Sequence, residues 1–546
     1  MRLPLASRIE TAIVLTQRGI VRPVRPDRLL QMGLAFRRWG VSIASAYAVN
    51  AIRRADQAAI VDDDGSISYA ETEVRTNALA NELARLGVGE KDRLAILCRN
   101  GRGFVESVIA GAKLGAEVLP LNTSFAAGEL KAVIERERPP VLIHDADFSD
   151  TVREARLGRA VKRVLARVED SPRGATTIEG LIGAGDRQAP KPPAEEGRTV
   201  ILTSGTTGTP KGARLARPGG LEPLAQLLRV VPIDAGSAYL IPAPLFHAHG
   251  YGQLVLGASL GSTIVLPRRF EPERMLALIE RHRVESLAAV PVMLKRIMDL
   301  PRETRLDFDT SSLRVVVCSG SALDARLARA FMDDFGPVLY NLYGSTEMAW
   351  ATIATPRDLL EAPGTVGRPP PNTRVSILDE HGKAVPAGVT GRIFVGHDML
   401  FEGYTDGRTG RERIGGMMTG GDLGHLDADG RLFVDAREDD MIISGGENLY
   451  PSEIEEVLSR HPNIAEVVVV GAEDPEFGAR PVAFVVPKEG SGLTPADVDD
   501  FARRNLARFK VPRDVVIVEE LPRNALGKVL RRELRPPKQE GRRNVG

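Results

Sequence analysis

Residues 203–212 read Thr203-Ser204-Gly205-Thr206-Thr207-Gly208-Thr209-Pro210-Lys211-Gly212. They follow an apolar run, Val200–Leu202, that reads as a short buried strand. Hydroxyls, three glycines and a lysine within ten positions suit a polyphosphate. Glycine lets backbone N–H groups approach oxygens, hydroxyls donate, and Lys211 supplies charge. The stretch is not a GxxxxGK[ST] loop, because Pro210 stands where its second glycine belongs.

Outward from this loop the pattern is α/β. Ala58–Val61 and Ser66–Ser68 flank Asp62-Asp63-Asp64-Gly65, a hairpin signal. Ser68 with Glu71 opens a helix closed by Gly87. Strand Leu94–Leu97, helix Phe104–Leu114, strand Ala116–Leu119, helix Ala127–Glu137 and strand Val141–His144 follow. Such alternation predicts a mostly parallel sheet covered by helices. The pattern changes near 437. Ser452 with Glu455 reads as a helix cap, Glu466–Val470 and Val482–Val486 as strands, and Pro495–Ala507 as a helix, enough for a small α+β domain. The expected division is a basic arm at 1–54, a large domain at 55–436 and a small one at 437–546.

Further segments carry chemistry. Tyr343-Gly344-Ser345-Thr346-Glu347 follows the apolar Val338–Leu342, at the carboxyl end of a strand, where α/β sheets bind ligands. Tyr343 offers a flat face, Gly344 leaves room beside it, Thr346 can donate to a phosphate, and Glu347 is a hard oxygen ligand fit for Mg²⁺. Ser319-Gly320-Ser321 follows strand Val315–Cys318 in the same manner. Asp422 ends Thr419-Gly420-Gly421-Asp422, Arg437 opens Arg437-Glu438-Asp439-Asp440, His247 lies in Pro244-Leu245-Phe246-His247-Ala248-His249-Gly250, and Lys528 sits in Asn524-Ala525-Leu526-Gly527-Lys528-Val529.

In this order along 57–535 the motifs resemble the adenylate-forming (AMP-binding) superfamily, of the acyl-CoA synthetase type. The resemblance implies a large N-terminal domain of helix-covered sheets and a small mobile C-terminal domain. It implies ATP, Mg²⁺ and coenzyme A as cofactor and co-substrates, and two half-reactions through an acyl-AMP. Thr203, Ser204, Gly205, Thr206, Thr207, Gly208 and Lys211 would hold the phosphates. Ser319, Gly320, Ser321, Tyr343, Gly344 and Ser345 would hold the adenine side, with Asp422 and Arg437 on the ribose. Lys528, His247, Thr346 and Glu347 would be catalytic, Glu347 also binding the metal. Asp439 matches the hinge, and Ser444, Gly445, Gly446 and Phe477 match the coenzyme A channel. The family's Thr-Gly-Asp reads Thr419-Gly420-Gly421-Asp422 here, so the threonine is either replaced by Gly420 or displaced by one position.

The Phe246–His249 stretch has no acid to pair with an α-amino group, which argues against a free amino acid. Wall segments Leu245–Leu256, Ala288–Met293, Cys318–Ser321 and Tyr343–Ala351 are largely apolar and, with their neighbours, rich in small residues, favouring a linear aliphatic tail over a charged acid, and the basic arm at 1–54 tips the expectation to a medium- or long-chain fatty acid. An aryl acid is the alternative, as is a fatty acyl-AMP ligase loading a carrier protein. A non-catalytic nucleotide or acyl sensor is a further reading.

The 546 residues hold 72 Lys+Arg and 72 Asp+Glu. The zero balance argues against a nucleic-acid-coating protein. It conceals a gradient, because residues 1–54 carry ten Arg and two acids. That arm mixes Leu29, Leu30, Leu34, Phe36 and Trp39 with Arg28, Arg37 and Arg38, as a helix lying on an anionic membrane would, or as an arm packed on its own domain. Two cysteines 220 positions apart, no secretory signal and no long apolar run make the cytoplasm the expected compartment, with peripheral contact at the inner face of the membrane. A homodimer is left open.

Overall fold

The computed structural model describes residues 5–167, 174–203, 211–217, 219–407, 411–438, 442–444, 447–474, 478–506, 510–524 and 527–537. The chain is α/β and divides into two compact units. One holds Met1–Arg374 and Gly396–Glu412; the other holds Val375–Val395 and Arg413–Gly546.

The large unit is built on three sheets. The widest has eight strands in the order Ala349–Ala354, Leu339–Ser345, Val315–Cys318, Ser286–Ala289, Ala238–Leu240, Thr263–Val265, Ala58–Asp62 and Gly65–Ser68. Its interior pairs are parallel and its two edge pairs antiparallel. The interior strands read Val-Val-Val-Cys (315–318) and Ser-Leu-Ala-Ala (286–289) and are buried on both faces, as strands covered by helices on each side must be. A four-stranded parallel sheet comprises Glu117–Pro120, Arg93–Leu97, Val141–His144 and Lys162–Leu165. A three-stranded sheet joins Gly403–Tyr404, Lys211–Arg214 and Val200–Thr203.

Three helices open the unit: α1 (Leu5–Gln17), α2 (Pro26–Trp39) and α3 (Ile43–Arg53). The described part of the basic N-terminal region is therefore mostly helical, and α3 is part of the core. Ala44 and Tyr47 have no exposed surface, and the Tyr47 ring lies 5.6 Å from that of Tyr69. Ser42 caps α3 by accepting the Ser45 N–H at 3.3 Å. The end of α1 is tied down by Arg18, whose Nε donates to the Leu228 carbonyl at 3.3 Å and whose own carbonyl accepts the Ala235 N–H at 2.8 Å.

The small unit contains a five-stranded antiparallel sheet, in which Met417–Leu426 pairs Leu432–Arg437, and a three-stranded sheet of Ile464–Asp474, Gly478–Pro487 and Asp514–Ile517. Helices Pro451–Leu458 and Pro495–Asn505 share its core. Here one expectation is corrected. Ser452 does not cap the first helix: Tyr450 is the N-cap, and the Ser452 hydroxyl donates to the Asp435 carbonyl. Glu455 accepts the Val469 N–H at 2.6 Å and pairs with Arg531 at 2.8 Å, tying helix, strand and the segment after Lys528 together.

Candidate active site

Four neighbouring strands of the eight-stranded sheet end on one edge. From them emerge Pro244–His247, Ala289–Val290, Ser319–Gly320 and Tyr343–Glu347, so the parallel register itself gathers the expected adenine, carboxylate and metal residues. The Ser319 hydroxyl donates to the Leu342 carbonyl at 2.8 Å, locking adjacent strand ends together. Ser321 follows, half-buried.

Tyr343, Gly344 and Ser345 lie in the strand itself, and Thr346 and Glu347 occupy the turn to Ala349–Ala354. The turn is tight. Ser345 Oγ accepts the Met348 N–H at 3.1 Å, and Ala349 takes a φ of 53°. A Cβ on Gly344 would sit 1.9 Å from the Ala349 carbonyl oxygen, so only glycine allows the two strands to approach there.

Glu347 is held from a second direction. Its carbonyl accepts the Phe401 N–H at 2.9 Å, and its Oε1 accepts the Tyr404 hydroxyl at 2.9 Å. The Tyr404 ring also faces Lys211, whose Nζ lies 5.7 Å from the ring centroid. Burial and the Glu347 carboxylate both push the Tyr404 hydroxyl up from its ordinary value, so it remains a donor at neutral pH. Tyr404 thus joins the phosphate-loop lysine to the candidate metal carboxylate. Sequence reasoning missed it, since its partners lie 57 and 193 positions away and Gly403-Tyr404 has no motif of its own.

Thr203 and Lys211 face each other across the antiparallel pair that brackets the loop, and the Thr203 hydroxyl donates to the Lys211 carbonyl at 3.4 Å. Ser204, Gly205, Thr206, Thr207 and Gly208 lie outside the described residues, as do Asp439, Gly445, Gly446 and Phe477. Of Ser444 only the backbone is described, paired with Glu447 in a two-stranded hairpin.

His247 is the N-cap residue of the helix Ala248–Leu260, its ring 4.4 Å from that of Phe246. Burial lowers its pKa to about 4, so the imidazole is neutral at pH 7. Its Nε2 is buried without a hydrogen-bond partner. His249, likewise lowered to about 4, bonds the Ala289 carbonyl at 3.1 Å and ties the helix to the sheet edge. Trp350 stacks on His397 with centroids 5.7 Å apart, and its indole N–H is also buried without a partner.

In the small unit, Asp422 and Arg437 are direct cross-strand neighbours, with Arg437 Nε 3.2 Å from Asp422 Oδ1. Arg437 Nη2 also donates to the Gly420 carbonyl at 3.2 Å. The Thr419 hydroxyl accepts the Gly421 N–H at 3.0 Å, and Gly421 adopts a φ of 77°. Thr419 is buried, and its hydroxyl holds a left-handed bend at Gly421 just before Asp422.

Lys528 is exposed on a loop closed by its own backbone. Asn524 Oδ1 accepts the Lys528 N–H and the Asn524 N–H donates to the Lys528 carbonyl, both at 2.9 Å. Arg523 and Val529 form an isolated antiparallel bridge at its base.

A Mg²⁺ ion keeps several waters and binds through one or two carboxylates plus phosphate oxygens. Glu347, linked through Tyr404 to Lys211, fits that requirement. Among the described residues no group of three His, Cys, Asp or Glu offers an all-protein cage.

Against known families, residues 47–405 match the AMP-binding enzyme family and 453–528 match its C-terminal domain. The chain belongs to the AMP-binding enzyme family. Indoleacetate–CoA ligase of Aromatoleum aromaticum is 34% identical, over 86% of this chain and 92% of the relative. Feruloyl-CoA synthase of an Amycolatopsis species is 33% identical, over 90% and 98%. The solved o-succinylbenzoate CoA synthetase of Bacillus subtilis, in complex with its acyl-adenylate intermediate, superposes with a TM-score of 0.78 at 28% identity, covering 90% of this chain and 98% of that one. The chain is an AMP-forming acid–CoA ligase, an enzyme class that uses ATP, Mg²⁺ and CoA.

Proposed function

We propose that this ligase activates an aryl or arylalkanoic carboxylate. The observation that carries the reading is the chemistry of its relatives: an indoleacetate ligase and a ferulate ligase each match more than four fifths of the chain. The small apolar residues of the wall segments favour a linear fatty acid, but neither relative is named for one. Two side-chain atoms support the aryl reading. Trp350 Nε1 and His247 Nε2, each in an expected wall segment, are buried without partners among the described residues. An unsatisfied buried polar group costs about 1–3 kcal/mol. A carboxylate with a heteroatom-bearing ring supplies partners for two such groups, whereas beyond its carboxylate a polymethylene tail supplies none.

In the first half-reaction the acid's carboxylate attacks the α-phosphate of ATP, giving acyl-AMP and pyrophosphate. In the second, the CoA thiol displaces AMP. Thr203, Lys211 and the intervening loop bind the phosphates, and Thr346 donates to them. Glu347 would hold Mg²⁺, which when bound would offset charge on the leaving pyrophosphate. Ser319–Ser321 and Tyr343–Ser345 hold the adenine, and Asp422 with Arg437 holds the ribose. His247, neutral at working pH, borders the carboxylate without adding charge. Lys528 bridges carboxylate and α-phosphate, stabilising a transition state in which anion meets anion. For the second step the segment that follows Asp439 turns about it, and Ser444, Gly445, Gly446 and Phe477 line the thiol's path.

The test is AMP release with CoA on a panel of indoleacetate, phenylacetate, benzoate, cinnamates and saturated acids of graded length. The best aromatic acid is expected to exceed the best linear one in kcat/KM by about tenfold or more, the scale on which apolar pockets discriminate. A linear acid ranking first would overturn the reading.

A further inference from the structure

Seven of the twelve large apolar side chains exposed among the described residues fall between Ile9 and Phe36. That density is unusual for a surface on which exposed apolar residues are ordinarily scattered singly. The helix α2 concentrates it. Its inner stripe, Ala35 and Trp39, is buried against α3. Its outer face presents Leu29, Leu30 and Leu34 at 60%, 66% and 55% exposure. Around them Arg25, Arg28 and Arg37 are exposed as well. The acids of this stretch leave little to offset them: Asp27 pairs with Arg25 at 3.1 Å and Glu10 with Arg229 at 3.2 Å.

An apolar face edged by arginines is how a helix lies in the headgroup region of an anionic bilayer. The leucines enter the acyl boundary while the guanidinium groups reach lipid phosphates. A second copy of the chain is the poorer occupant. A two-fold contact would bring the same arginine-edged patch against itself, setting the positive charge of Arg28 and Arg37 against a like-charged surface. No described helix is long and apolar enough to cross a membrane, so the contact would be peripheral. We propose that the outer face of α2 is a docking surface for an anionic lipid bilayer. The surface involves none of the residues assigned to the reaction and is independent of which acid is activated.

The test is co-sedimentation of the full chain with vesicles of phosphatidylcholine, with and without phosphatidylglycerol, at low and high salt. Binding is expected only to the anionic vesicles and should fall as salt rises. Arg28→Ala with Arg37→Ala should weaken it by about thirtyfold, the effect of removing two surface-bound arginines. Leu30→Ser with Leu34→Ser should abolish it, leaving AMP release in solution and the melting temperature unchanged. Three outcomes would each overturn the proposal. One is no sedimentation of the parent chain on anionic vesicles at low salt. Another is equal binding to neutral vesicles. The third is a dimer, by light scattering, that the leucine substitutions dissociate.

Discussion

The Lys211–Tyr404–Glu347 cluster and the Lys528 loop hold residues assigned to one reaction in opposite ways. The first is fixed by side chains: a strand-bracketed lysine over a tyrosine ring, and that tyrosine's hydroxyl on a half-buried carboxylate at 2.9 Å. The second is fixed through the backbone N–H and carbonyl of Lys528, which bond the side chain and the N–H of Asn524. Asn524 closes the loop around Lys528, while the lysine itself is exposed on the other compact unit. On the proposed roles, the groups that serve the phosphates and the metal are built into a sheet edge, whereas the lysine needed for one step is carried on an exposed loop of the other unit.

The sharpest way to break this contrast is at Glu347. Glu347→Gln keeps the acceptor for Tyr404 but removes the charge, and adenylation is expected to fall by about 10²–10³, the scale of losing one preorganised electrostatic group. Pyrophosphate release at graded Mg²⁺ checks it. Tyr404→Phe is milder, because the ring under Lys211 stays and only the hydroxyl goes. Loss of a hydrogen bond to a charged group, about 1.5–3 kcal/mol, should raise the Mg²⁺ requirement about tenfold or more. An unchanged Mg²⁺ dependence would leave Tyr404 a packing residue.

The smallest effect is on stability. His247 and His249 have folded pKa values lowered to about 4, below the unfolded value near 6.5. Between those values the unfolded chain binds more protons, so stability falls as pH drops, by about 1.4 kcal/mol per pH unit for each histidine. Above pH 6.5 they contribute no slope. Denaturant titrations at pH 7 and pH 5 should show this loss, and His249→Gln should reduce it by about half.

Much of this was legible in the sequence because it is local. The helix Ala127–Glu137 and the strand Val141–His144 have the bounds that periodicity assigns them. The motif order identified the family, since each motif is a run of neighbours at a strand end. What was not legible is non-local. Tyr404 acquires its role from partners 57 and 193 positions away. Ser452 and Glu455 satisfy the spacing of a helix cap, but tertiary partners, the Asp435 carbonyl and Arg531, claim both side chains. The uncertain threonine before Asp422 needed coordinates, because only they reveal that Gly421 bends left-handed and that Thr419 caps the bend. The choice between a fatty and an aryl acid was not legible, because small apolar wall residues and a basic arm suit either, and the relatives named for indoleacetate and ferulate favour the aryl alternative.

The most direct test separates the two half-reactions in Lys528→Ala. Acid-dependent pyrophosphate release should fall by about 10²–10³, while thioester formation from supplied acyl-AMP and CoA should proceed at close to the parent rate. Equal loss in both steps would contradict a lysine used once and withdrawn.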